Sequence, residues 1–137
     1  MNINKKNIEK NIYKNLYGIE FGILELKLKD FNYKNKKLYI KNDYLKNKGF
    51  IIFYAPWCKH SKKFMELIQD LALSNINLFN FGSVNCEDIE NKNDYLCMYA
   101  NIKKFPTLKY INKDGIIENY NYDYNFDNLV YFINMNI

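Results

Sequence analysis

The sequence contains no arginine, one histidine and only three cysteines in 137 residues. All 20 basic residues are therefore lysines, and they are interleaved along the chain with 15 acids, leaving a formal charge of +5. Nucleic-acid sites cluster their cations and often use the guanidinium fork for bidentate phosphate contacts. Dispersed lysine reads instead as solvated surface, so neither nucleic acid nor a membrane is expected as a partner. No apolar run approaches the roughly 18 residues of a membrane span; the longest, residues 50–57, has the length of a buried strand. Cys86 and Cys97 with one histidine lack the four-ligand spacing of a zinc site, so no metal is expected. Met1-Asn2-Ile3-Asn4-Lys5-Lys6 leads into polar sequence and not an apolar leader, and Asn134-Met135-Asn136-Ile137 is no retention signal. The expected compartment is the cytoplasm.

Apolar residues make up 48% of the chain and aromatics 18%, too much for a disordered polymer. The length suits one domain burying roughly two-thirds of its unfolded surface. Asn, Ile, Tyr and Lys abound together, as in translation of an A/T-rich genome, so codon supply accounts for part of the lysine content.

Residues 1–18 are polar and carry only the weak helical spacing Ile8, Ile12, Leu16, which predicts an extension before a domain at 19–137. The first strand has two candidates, the alternating run at residues 23–28 and the segment Leu38-Tyr39-Ile40. Phe50-Ile51-Ile52-Phe53-Tyr54 suits a strand buried on both faces, ended by Pro56. Phe64, Leu67, Ile68, Leu71 and Ala72 then recur at helical spacing, with Lys62, Lys63, Glu66 and Asp70 outside. A strand over residues 78–85, a helix over 93–100, and strands over 107–111 and 116–122 about a Lys113-Asp114-Gly115 turn follow. Asp127 is the expected N-cap of a last helix carrying Leu129, Val130, Phe132 and Ile133. The order β-α-β-α-β-β-α predicts an α/β fold, a mixed sheet flanked by helices on both faces.

The chemistry concentrates in Tyr54-Ala55-Pro56-Trp57-Cys58-Lys59-His60-Ser61-Lys62-Lys63, where a buried strand turns into a helix with a cysteine at its start. A sulfur there faces unpaired backbone N–H groups and the positive end of the helix dipole, which favours thiolate. Cys58 is thus a candidate nucleophile, expected to be accessible, against the alternative of a small buried cysteine.

This segment resembles the Ala-Pro-Trp-Cys-Gly-His-Cys-Lys active-site stretch of the protein disulfide isomerases, in the thioredoxin superfamily. Lys104-Phe105-Pro106-Thr107-Leu108-Lys109-Tyr110 is similar to the family's proline loop, and Leu129-Val130-Tyr131-Phe132-Ile133 to the start of its final helix. The likeness covers roughly residues 20–133 and implies a thioredoxin fold. It also implies that Pro106 is cis and faces Cys58, with Phe105, Thr107, Trp57 and Lys59 meeting a bound client. His60 would stabilise the thiolate, and Lys59, in the place of the family's Gly, would add positive charge. Trp57 has an equal reading as a core-edge aromatic; Ser61 would donate a hydrogen bond to the thiolate, with an equal reading as plain helix surface. Some members carry a structural cystine near Cys86 and Cys97; in a reducing cytosol the pair would stay as free thiols, the reading favoured by the absent leader.

Departures from the family pattern converge on one function. Ser61 stands in place of the second cysteine, Ile52 in place of a buried acid that moves its proton, and Tyr124 in place of an arginine that tunes it. The implied protein is a monothiol one: Cys58 would form mixed disulfides with cysteine-containing proteins or peptides, released by an external thiol. No cofactor is expected beyond glutathione as co-substrate. The alternative is a non-catalytic module that binds peptides around Trp57 and Pro106.

Overall fold

The computed structural model describes residues 22–41, 48–74 and 79–136. The expected polar extension at 1–18 lies outside them. Seven strands are described: β1 (Ile23–Glu25), β2 (Phe31–Lys34), β3 (Lys37–Ile40), β4 (Gly49–Tyr54), β5 (Asn80–Asn85), β6 (Thr107–Ile111) and β7 (Ile117–Asn119). The helices are α1 (Lys59–Ser74), α2 (Asn93–Tyr99) and α3 (Phe126–Met135), with one 3-10 turn at Leu28–Asp30. Among the described residues, no helix is long and apolar enough to cross a membrane.

The main sheet has the order β1-β5-β4-β6-β7. β4 pairs parallel with β5 and antiparallel with β6, so both its edges are hydrogen-bonded. Every residue of β4 is buried. Its side chains alternate: Phe50, Ile52 and Tyr54 enter one core with Phe64, Ile68 and Leu71 of α1 and Leu129 and Ile133 of α3. Ile51 and Phe53 enter a second core with Leu96 and Cys97 of α2. A continuous apolar run is what a strand covered by helices on both faces requires.

Both first-strand candidates are strands, in different sheets. β1 pairs parallel with β5 at the sheet edge, while β2 and β3 form a separate hairpin. Its turn residues Asn35 and Lys36 both have positive φ, 53° and 60°, as a type I′ turn demands. Phe31, Leu38 and Ile40 of this hairpin close the second core. The Ile40 N–H donates to the Gly115 carbonyl at 2.9 Å, tying the hairpin to the β6–β7 turn.

Four local expectations are corrected. Strand β7 is shorter than 116–122, because Leu108 N–H, which a longer β7 would meet, donates instead to the Tyr124 hydroxyl at 2.8 Å. Asn125, not Asp127, caps α3: its side chain accepts from Asn128 N–H at 2.8 Å, and Asp127 falls in the first turn. Lys109 is not solvated surface; it is 9% exposed, and its ammonium donates to the Ala100 carbonyl at the end of α2. Cys86 and Cys97, favoured as free thiols, are bridged, because the end of β5 and the last turns of α2 bring their Cα atoms to 5.9 Å.

Asn93, at the start of α2, has no exposed surface and joins three segments. Its Oδ1 accepts from Leu28 N–H at 3.1 Å, and its Nδ2 donates to the carbonyls of Asn85 at 3.0 Å and Leu26 at 3.3 Å. At the other end of α2, Asn101 N–H donates to Met98 O and Ile102 N–H to Cys97 O, a left-handed C-terminal cap with Asn101 at φ 61°. This cap launches the loop that carries Pro106.

Asn93→Ala leaves buried backbone groups unpartnered and is expected to destabilise the fold by about 2–3 kcal/mol in urea unfolding. The Cys86–Cys97 bridge closes a short loop, so the double Ser variant should lose up to roughly 3 kcal/mol in the same measurement. An unchanged midpoint would show that α2 docking does not depend on the bridge.

Candidate functional site

The site begins where β4 ends. Pro56 occupies the second position of a turn closed by Cys58 N–H donating to Ala55 O at 3.1 Å, a place its fixed φ suits. The Cys58 carbonyl then accepts from Lys62 N–H at 3.2 Å, the first bond of α1. Cys58 is therefore the N-cap residue, and His60 and Ser61 are the second and third helical positions. Their N–H groups are the ones an N-cap side chain satisfies. Here the acceptor is sulfur.

Burial pushes the Cys58 thiol up, but hydrogen bonds from the Ser61 N–H, the Ser61 hydroxyl and the His60 N–H outweigh it, so the net shift is downward. These donors act on the charged form, and the helix dipole adds in the same direction. The protonated thiol has its own acceptor, the Phe105 carbonyl at 3.6 Å. That contact is long, as expected of a weak sulfur donor.

The sulfur is less open than anticipated. Cys58 is 9% exposed, with the Phe105 carbonyl of the proline loop against its sulfur. Ser61 is fully buried, which removes its reading as helix surface. The contribution of His60 to the sulfur comes through its backbone, while its side chain, like that of Lys59, is exposed.

The Phe105–Pro106 peptide is cis. Phe105, Pro106 and Thr107 are half-buried, and the Thr107 hydroxyl donates to Lys104 O at 2.7 Å within the loop. Trp57 is 64% exposed and so does not belong to the core edge. Its indole N–H donates to Glu87 at 2.7 Å, and its ring meets Phe105 edge-on at 5.9 Å. Glu87 follows the bridged Cys86, so the bridge anchors the residue that holds the tryptophan. Sequence reasoning missed Glu87, because nothing local marks an acid that reaches across 30 positions.

Ile52 and Tyr124 are packing residues. Ile52 is buried in the first core. Tyr124 stacks on Phe64 with ring centroids 5.0 Å apart while its hydroxyl accepts from Leu108 N–H. Burial raises the Tyr124 phenol, partly offset by that N–H. Neither side chain offers a proton carrier at neutral pH.

The family model for thioredoxin matches residues 27–135. Over 88 residues, 62% of this chain, the sequence is 34% identical to protein disulfide-isomerase 1 of Dictyostelium discoideum, covering 24% of that protein. Over 60 residues, 44% of this chain, it is 37% identical to protein disulfide-isomerase MPD1 of Saccharomyces cerevisiae, covering 18% of it. The chain thus spans a quarter or less of these relatives. Among solved structures, the Trx4 domain of ERdj5 superposes with a TM-score of 0.64 over 83% of this chain and 94% of that one, at 24% identity. The structural match establishes the thioredoxin fold, and with the match along residues 27–135 the chain belongs to the thioredoxin family.

Proposed function

We propose that the chain carries out thiol–disulfide exchange through Cys58 alone, as a monothiol domain. The observation that carries this reading is Ser61, which is fully buried, stands where a second thiol would stand, and favours the Cys58 thiolate. The other two cysteines are bridged to each other, which leaves Cys58 as the one free thiol of the three. The Cys58 thiolate attacks one sulfur of a client disulfide, a new S–S bond forms, and the client's other sulfur leaves as thiolate. A hydroxyl cannot attack that mixed disulfide. Release then requires an external thiolate, such as glutathione, which bonds to the client sulfur and expels Cys58 as thiolate.

A second reading is favoured by one observation, the exposed Trp57 held by Glu87 beside Phe105. It makes the site a peptide-binding surface in which Cys58 is incidental. Under it, Cys58→Ala leaves client binding intact; under the exchange reading, capture is lost.

Alkylation of Cys58 by iodoacetamide, followed by mass spectrometry against pH, should show a midpoint below that of an ordinary thiol. Ser61→Ala removes one donor and should move the midpoint up, slowing alkylation at pH 7 by about five- to tenfold. A midpoint at or above the ordinary value would reject an activated thiolate. The lowered folded-state value also sets the sign of a stability effect: ionised Cys58 stabilises the fold above the unfolded thiol's value, and this is lost as pH falls through the folded value. Cys58→Ala should flatten that slope.

With insulin and no added thiol of any kind, the domain should accumulate mixed disulfide at about one equivalent and not turn over. Repeated turnover would defeat the monothiol reading.

A further inference from the structure

Beside the proline loop, the first two turns of α1 border a cleft of about 370 Å³ lined by His60, Lys63, Phe64, Leu67, Pro106 and Tyr124. Its floor is apolar, built on the stacked rings of Phe64 and Tyr124 with Leu67 packed at the edge of the core. Its rim is basic. His60 and Lys63 are exposed, Lys59 and Lys62 share the same helical turns, and the first turn of α1 contains no acid. In the proline loop, exposed Lys103 and Lys104 precede Phe105, whose carbonyl contacts the Cys58 sulfur.

Cations at a helix N-terminus oppose its dipole. They do favour an anion arriving from outside, most strongly at low ionic strength. An apolar floor under a basic rim is complementary to one kind of segment: a bulky apolar side chain with a carboxylate beside it. We propose that this cleft selects the client, accepting a leucine- or phenylalanine-sized side chain, flanked by Asp or Glu, within two residues of the client cysteine that bonds to Cys58. The inference rests on the exchange reading of Cys58 and names the peptide chemistry that the site prefers.

The test uses four peptides, each carrying one cysteine as a mixed disulfide with 2-mercaptopyridine. Flanking positions carry Leu with Asp, Leu with Lys, Ala with Asp, or Ala with Lys. Attack by Cys58 on the peptide sulfur forms the protein–peptide disulfide and expels pyridine-2-thiolate, which takes a proton from water and is read by its absorbance. The Leu–Asp peptide should react fastest. Replacing Leu by Ala should slow it by about tenfold, the low end of what side-chain burial supplies. Replacing Asp by Lys should slow it several-fold, with the gap closing as salt is added. Lys63→Glu should abolish or reverse that charge preference. Equal rates for all four peptides, or a preference untouched by Lys63→Glu, would overturn the cleft while leaving exchange standing. No reaction with any peptide would overturn both.

Discussion

Strand β4 has hydrogen-bonded neighbours on both edges and helices over both faces, so no part of it can tolerate a polar side chain without a partner. That constraint organises the domain. Its even-numbered residues assemble the core under α1 and α3, and Ile51 and Phe53 assemble the core under α2 and the β2–β3 hairpin. In open α/β sheets, chemistry gathers beyond the carboxyl ends of the strands. Here that end is Tyr54, and four residues on stands Cys58. Asn93 and the Asn101 cap fix α2 at both ends, and the loop leaving that cap brings Phe105 to the sulfur. Cys58 and its facing loop are thus positioned by elements packed against β4.

The local chemistry at Cys58 is that of a helix N-cap with sulfur in place of the usual oxygen. An alcohol or carboxylate there would satisfy the same N–H groups permanently. A thiol satisfies them best when ionised, so the need of the helix terminus for an acceptor becomes a preference for thiolate. Ser61, fully buried at the third helical position, adds to that preference. In a domain with two thiols, the second would compete for that place.

Much of this was legible in the sequence, and the reasons are local. The all-apolar β4, the stripe on α1 and the Pro56–Cys58 turn each follow from contacts within a few residues. The two proposed first strands could not be ranked, because both are real and only their partners, β5 for β1 and β2 for β3, distinguish them. Partners distant in sequence were out of reach. Lys109 looked like one lysine among twenty until α2 placed the Ala100 carbonyl against it, and burial then lowered its ammonium. Cys86 and Cys97 gave no pairing signal of their own, since an 11-residue separation allows a bridge only if a helix folds back on the strand. Ser61 could be read as surface or as sulfur partner, because helical phase near a terminus is ambiguous within one turn.

Under the proposed exchange, the donors that would make Cys58 an attacking group would also make it a departing one. A thiol of lowered pKa is more ionised near neutral pH, yet less nucleophilic per thiolate, and it leaves faster from a mixed disulfide. In a dithiol enzyme the second cysteine ends the mixed disulfide from within. Without it, the lifetime of the complex depends on how readily Cys58 is expelled by a thiol from solution. The N–H groups of His60 and Ser61 and the Ser61 hydroxyl stabilise the expelled thiolate directly, so the features that promote capture also promote release. Under the monothiol proposal, the missing second thiol removes the internal route without trapping a client permanently, and a client's residence time becomes a function of the external thiol concentration.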